Sequence, residues 1–250
     1  AGTSSESRSG SVGQVQTQVV TFEDGLQLHD GSSLAPATIA YEIYGEINED
    51  RSNVILLFHA LTGSQHAAGV NTEVSGIEGR WTDELHIGWW DEFIGPGRAL
   101  DTDDFAVVCA NYIGSCYGST GPASANPRTG KPYGSDFPRI NLADVVDSQI
   151  ALLDHLGVNR LHAAIGGSIG GLMALSLATR YPDRVRVVIP IAAGLAVTAL
   201  QRIHNFEQSL AIENDPLFAG GDYYDGSYPD RGLALARMIG HKTFVSLHAM

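Results

Sequence analysis

The stretch Leu161-His-Ala-Ala-Ile-Gly-Gly-Ser-Ile-Gly-Gly-Leu172 decides the fold of this chain. Residues 161–165 are a short apolar run that reads as a buried strand, and from Ile169 the chain reads as a helix to about Tyr181-Pro182. Between them, Gly166-Gly167-Ser168-Ile169-Gly170 matches G-x-S-x-G, a strand-to-helix turn so sharp that its serine adopts a strained backbone conformation. Small residues two positions before and after the serine keep the turn clear of the neighbouring strand and helix. A non-catalytic Gly-rich turn, or one that cradles a phosphate, would use the same residue types. A dinucleotide fingerprint would not, because G-G-S-I-G-G does not supply G-x-G-x-x-G in register.

Outward from this turn, residues 54–58 are a continuous apolar run, as expected of a parallel strand covered on both faces, and residues 105–110 and 185–191 read as further buried strands. Residues 15–22 and 38–44 alternate apolar and polar side chains, as half-buried antiparallel strands do. Asn141, with Asp144 three residues on, forms a capping box that opens a helix to about His155, which Gly157 is placed to stop. Residues 64–104 and 111–134 read as long Gly-containing loops, and 197–213 and 232–247 as helices. Strands alternating with helices predict a doubly wound α/β sheet. The layout expected is an α/β-hydrolase fold, mostly parallel with antiparallel N-terminal strands and a helical lid over the sheet's C-terminal edge. It divides into a disordered tail (1–14), a core (15–195) and the start of the lid (196–250), incomplete at the C-terminus.

The bulk numbers narrow the chemistry. The 250 residues carry a net charge of −13, which argues against nucleic acid as a partner, since its phosphates call for a basic surface. A small anion held by a local Arg or Lys pocket is still compatible. The 2 cysteines, Cys109 and Cys116, are too few for a disulfide framework and lack zinc-site spacing, so both are expected reduced, as in the cytoplasm. No metal and no permanently bound cofactor are expected. No apolar run reaches the roughly 18 residues of a membrane span. The Ser- and Gly-rich start lacks an apolar h-region, so it reads as a tail and not a signal peptide, and the missing initiator Met points to processing or trimming.

If Ser168 is an acyl-accepting nucleophile, it needs an oxyanion hole, a base and an acid. Ile169, at the start of the helix, offers one backbone N–H, and Leu61, in His59-Ala60-Leu61-Thr62-Gly63 after an earlier strand, offers the second. His59 precedes the serine, whereas the elbow's order is Ser, acid, His, so it reads as a structural histidine bonded to loop backbone. Asp183, Asp215, Asp222, Asp225 and Asp230, then His241 and His248, satisfy the order but fall in lid segments, Asp183 reading as a turn cap. The triad acid and base are therefore expected beyond Met250. Cys116 reads as a structural buried thiol, and Trp89-Trp90 as packing for a core or lid seam.

Several motifs occur together in order: His59-Ala-Leu-Thr-Gly63, Gly88-Trp-Trp-Asp91, Ile94-Gly-Pro-Gly97, Gly114-Ser-Cys-Tyr-Gly-Ser-Thr-Gly-Pro122, Gly130-Lys-Pro-Tyr-Gly134, Gly166-Gly-Ser-Ile-Gly-Gly171, Tyr181-Pro-Asp-Arg-Val185 and Gly232-Leu-Ala-Leu-Ala-Arg237. From about residue 15 to the end, the chain resembles the homoserine O-acetyltransferase family. The resemblance implies a ping-pong transfer of acetyl from acetyl-CoA, through acyl-Ser168, to the side-chain hydroxyl of L-homoserine, early in methionine synthesis. It also implies a homodimer formed through the lid and a cytoplasmic enzyme with neither membrane nor nucleic acid as partner. Arg237 matches the arginine that binds the homoserine carboxylate, a task suited to a guanidinium fork; a solvated helix arginine is the alternative.

Two departures stand out. The family has a Thr-Tyr pair where this chain has Thr243-Phe244, so one hydroxyl is absent. Family members also continue for well over a hundred residues, and their catalytic Asp and His lie in that part. Alternatives are a serine acyltransferase or homoserine O-succinyltransferase, an esterase on the same fold, or a non-catalytic fragment or binding scaffold.

Overall fold

The computed structural model describes residues 10–77, 79–224 and 226–245. The chain divides into two compact units: one holds the residues up to Gly121 together with Pro138–Ala193, the other Pro122–Phe137 with the residues from Gly194 on.

The first unit is built on a 6-stranded sheet of β1 (Gln18–Phe22), β2 (Ala37–Tyr44), β3 (Val54–Phe58), β4 (Ala106–Ala110), β5 (Leu161–Gly167) and β6 (Val185–Ile191), in spatial order β1-β2-β4-β3-β5-β6. The pairs β1–β2 and β2–β4 are antiparallel, and β3–β4, β3–β5 and β5–β6 are parallel. Every residue of β3 and β4 is buried, which is why both are uninterrupted apolar runs. The burial expected for residues 185–191 is not met: β6 is the edge strand of the sheet and leaves Val187, Ile189 and Ile191 exposed.

Two helices belong to this unit, α1 (Leu142–His155) and α2 (Ile169–Arg180); α2 packs on the sheet and α1 packs on α2. The predicted capping box is formed: Asn141 Oδ1 accepts from Ala143 N and Asp144 N, and Asp144 Oδ2 accepts from Asn141 N at 2.7 Å. Gly157, at φ 72°, takes the left-handed position that ends the helix. Residues 10–14, assigned by composition to the tail, are held in place. Val70 N donates to Gly13 O at 2.9 Å, and Val12 packs on the core.

The second unit contains α3 (Ala199–Glu213) and α4 (Asp230–His241), which pack against each other. Gly232 permits the close approach, since a Cβ there would stand 2.5 Å from Ala211 O. The predicted helix 232–247 thus begins earlier and ends at His241, with Thr243 and Phe244 N–H groups closing turns onto Gly240 and His241. Segment 122–137 belongs with these helices: Asp222 accepts from Ser135 N at 2.8 Å and Ser135 Oγ at 2.9 Å.

Candidate active site

The register of the parallel strands brings the ends of β3 and β5 together, with Phe58 opposite Gly166 and Gly167 opposite Ile191. Ser168 follows at the carboxyl edge, its N–H continuing the ladder to Ile191 O at 2.9 Å. Its backbone lies at φ 56°, ψ −121°, a region that costs a non-glycine residue about 1–3 kcal/mol. The flanking glycines show why the turn is possible. A Cβ on Gly166 would stand 2.2 Å from Gly170 O, and one on Gly170 would stand 2.3 Å from Phe58 O and 2.8 Å from His59 O. Ser168 is exposed, and its hydroxyl caps no N–H of the helix it begins.

The loop that leaves β3 is tied to this turn. His59 is 1% exposed and stacks on Tyr112 at 3.7 Å between ring centroids, while Tyr112 OH donates to His59 O at 2.6 Å. His59 Nδ1 bonds Ala60 O at 2.7 Å, and Gly63 N donates to the same carbonyl at 2.9 Å. Burial lowers the pKa of His59 to about 4, against the opposing hydrogen bond to Ala60, so the ring is neutral at pH 7. Its Nε2 is buried with no protein partner among the described residues, at a cost of about 1–3 kcal/mol. A buried ring with one nitrogen engaged by the backbone is placed for structure and not as the base. The N–H groups of Leu61 and Ile169 meet no acceptor among the described residues, and Leu61 is 73% exposed. The Ile169 N–H lies at the head of α2, where the dipole favours negative charge, and the Leu61 N–H lies in the loop that leaves β3.

Two of the downstream carboxylates are engaged elsewhere. Asp215 accepts from Leu217 N at 2.9 Å and Gly232 N at 2.7 Å, bonds that hold its carboxyl below the usual range. Asp222 is lowered in the same way by the Ser135 N–H and hydroxyl. Asp183 sits in the turn Pro182–Arg184, and Asp230 in the first turn of α4. His241 meets Phe244 edge-on at 6.4 Å. Asp225 and His248 lie outside the described residues. Among the described residues after Ser168, no Asp is bonded to a His; His204 pairs with Glu207 on its own helix at 3.1 Å, and Lys242 shares that carboxylate. Arg237 is exposed on α4 and makes no ion pair among the described residues.

The tryptophan pair packs as expected, whereas Cys116, expected to be a buried structural thiol, is exposed. Trp89 and Trp90 pack against the main core, with Trp89 Nε1 donating to Ser64 O. The Cys116 thiol is raised above its ordinary value, desolvation being the largest cause, so it is not a ready thiolate. Among the described residues no group of three or more His, Cys, Asp or Glu could hold a metal ion, and no helix is long and apolar enough to cross a membrane.

Sequence reading missed a buried polar cluster beneath the loop. Glu42 on β2 is 0% exposed; its Oε2 meets His66 Nδ1 at 2.9 Å and accepts from Tyr44 OH at 2.7 Å. Its Oε1 accepts from Thr17 Oγ1 and Asn71 Nδ2 at 2.7 and 2.9 Å. Burial alone would raise this carboxyl, yet the bonds and charge of His66, with Tyr44 and Thr17, hold it below its ordinary value. Residues 64–71 are fastened to the sheet by this cluster.

Residues 53–246 match the model of the alpha/beta hydrolase fold family. The chain is 50% identical over 240 residues to a homoserine O-acetyltransferase of Geobacter metallireducens, covering 96% of this chain and 62% of that protein. It is 48% identical over 241 residues to a homoserine O-succinyltransferase of Stutzerimonas stutzeri, covering 96% and 61%. Among solved structures, a homoserine O-acetyltransferase from Bacillus anthracis superposes with a TM-score of 0.82 at 31% identity, over 94% of this chain and 61% of that one. An esterase superposes at 0.80 and 32%, over 94% and 62%. The chain spans about 60% of the length of the relatives it matches.

Proposed function

This chain belongs to the alpha/beta hydrolase fold family, and on that premise we propose that it is the nucleophile-bearing part of a homoserine O-acyltransferase. The observation that carries the proposal is Ser168 in a strained positive-φ turn, its hydroxyl capping no helix N–H, followed at once by the free Ile169 N–H; Leu61 is proposed as the second donor. We propose L-homoserine as acceptor and acetyl-CoA as donor, a reading supported by the likeness to a homoserine O-acetyltransferase.

In the first half-reaction Ser168 Oγ attacks the thioester carbonyl, and the two N–H groups hold the oxygen that becomes negative. The C–S bond breaks, the serine proton leaves through a base to the sulfur as coenzyme A departs as a thiol, and an acetyl ester of Ser168 remains. In the second, the homoserine hydroxyl attacks that ester, the same oxyanion site serves again, and Ser168 regains its proton. The proposal assigns the base to a residue outside the described ones. Arg237 is proposed to bind the homoserine carboxylate as a bidentate fork. Coenzyme A is a dissociable substrate here, and no permanently bound cofactor enters the scheme.

A second reading, an esterase, is favoured by the superposition with a solved esterase. Transferase and esterase differ in whether water reaches the acyl-enzyme. Thiol release from acetyl-CoA, followed with and without L-homoserine, separates them. Release that requires homoserine and yields O-acetylhomoserine supports the transferase; equal release without it supports the hydrolase. Succinyl-CoA in place of acetyl-CoA decides the donor.

A further inference from the structure

We propose that His59 is a positioning residue that aims the Leu61 N–H at the acyl oxygen, through its bond to the Ala60 carbonyl. The argument starts from the peptide between Ala60 and Leu61. A trans peptide is planar, so its C=O and N–H point in opposite directions, and whatever fixes one fixes the other. The Ala60 carbonyl is held by two donors, His59 Nδ1 at 2.7 Å and Gly63 N at 2.9 Å. A carbonyl only accepts, so Nδ1 carries the proton in this contact. With the carbonyl turned toward the His59 ring and the Gly63 turn, the Leu61 N–H faces away from both and meets no acceptor among the described residues.

The ring itself is immobilised. Tyr112 stacks on one face at 3.7 Å, and its hydroxyl holds the His59 carbonyl at 2.6 Å. The far side of the same segment lies against the first turn of α2, where a Cβ on Gly170 would stand 2.8 Å from His59 O. The position of the loop is therefore referenced to the helix that supplies the Ile169 N–H.

Packing alone does not call for a histidine here. An apolar ring could stack on Tyr112 without burying an unpartnered Nε2. The one polar contact the imidazole makes among the described residues is the bond to Ala60 O, which is the bond that orients the donor. Burial also keeps the ring neutral at working pH, with a pKa of about 4, so it brings no charge beside the nucleophile.

This inference rests on Ser168 being the acyl acceptor, and the test separates the two. Wild type, His59→Phe and His59→Asn of the intact protein are compared. Phe keeps the stack on Tyr112 and removes the donor; Asn places an amide N–H where Nδ1 stands. The readouts are the acylation rate and KM with 4-nitrophenyl acetate, the rate with its thiono analogue, and the thermal midpoint. A thiono oxygen-to-sulfur exchange weakens what an oxyanion donor can do, so the ratio of the two rates reports donor alignment. His59→Phe is expected to acylate about 10- to 100-fold more slowly, with KM within about twofold and a rate ratio moved toward one. His59→Asn is expected to recover most of the rate and the ratio at an unchanged or lower thermal midpoint, which a purely structural role would not produce. Wild-type rate and ratio in His59→Phe overturn the inference and leave the Ser168 reading standing. An equal loss in both variants that tracks their thermal midpoints, with the ratio unmoved, also overturns it. If wild type forms no acetyl-Ser168 at all, both fall together.

Discussion

Gly170→Ala puts the packing of the elbow to a stringent test. The added Cβ would stand 2.3 Å from Phe58 O, 2.8 Å from His59 O and 2.9 Å from Phe58 C, all of them backbone atoms. Ordinary contact begins near 3.4 Å, so α2 and the end of β3 must part by about 1 Å. Overpacking of this kind costs about 1–3 kcal/mol, offset in part by alanine's better helix propensity. For a chain of this size that corresponds to a fall of roughly 2–10 °C in thermal midpoint. The larger effect is on chemistry, because the displaced backbone lies close in the chain to the proposed N–H donors, Leu61 and Ile169. A misplacement of about 1 Å at reacting groups costs on the order of 100-fold in rate. The assay is burst-phase acylation by 4-nitrophenyl acetate, with a thermal melt on the same samples. Gly167→Ala is the control: nothing lies within 4 Å of its Cβ position, and acylation within about twofold of wild type is expected. Wild-type acylation by Gly170→Ala, or equal damage in both variants, would refute the steric reasoning.

Three further outcomes follow from the same geometry. Glu42→Gln should cost about 1–3 kcal/mol at pH 7, because the buried carboxylate that accepts from Tyr44, Thr17 and Asn71 and meets His66 Nδ1 is replaced by an amide that brings donors into an acceptor's place. Because the folded carboxyl sits below its ordinary value, the pair stabilises above the unfolded pKa of about 4.3 and is lost as pH falls through the folded value. Urea melts should therefore show the wild-type advantage shrinking below about pH 4, and a gap constant from pH 7 to pH 3 contradicts this. For His59, lowered to about 4, stability is present above the unfolded value of about 6.5 and drains away between there and about pH 4, by roughly 3 kcal/mol. His59→Phe should lack that slope, and melts across the window check it. Arg237→Ala should raise the KM for homoserine about 10- to 100-fold while acetylation of Ser168 by acetyl-CoA stays unchanged; a fall in acetylation itself would remove Arg237 from the acceptor site.

The sheet and its elbow were legible because their signals are local. A buried parallel strand must be an apolar run, and a strained strand-to-helix turn must have small flanking residues, as at Gly166 and Gly170. Asn141 and Asp144 announced α1 for the same reason, their bonds closing within three residues. The polar cluster was hidden because its partners are distant in sequence. Residues 38–44 alternate as if one face met water, yet β2 lies between β1 and β4, and residues 64–71 cover Glu42 with His66, 24 positions away. The tail offered weak composition and no periodicity, although Gly13 and Val70 bond across the loop. His59 was recognisable as structural from its place before the serine, but the direction it gives to the Ala60–Leu61 peptide needed the three-dimensional contacts.

The central claim is that Ser168 carries the acyl group, and peptide mapping by mass spectrometry tests it most directly. The intact protein is quenched in acid after brief exposure to acetyl-CoA, with and without L-homoserine. The expected result is one acetyl group on the peptide containing Ser168, discharged to O-acetylhomoserine when homoserine is present and absent in Ser168→Ala. Acetyl found on another residue, or turnover undiminished in Ser168→Ala, would contradict it.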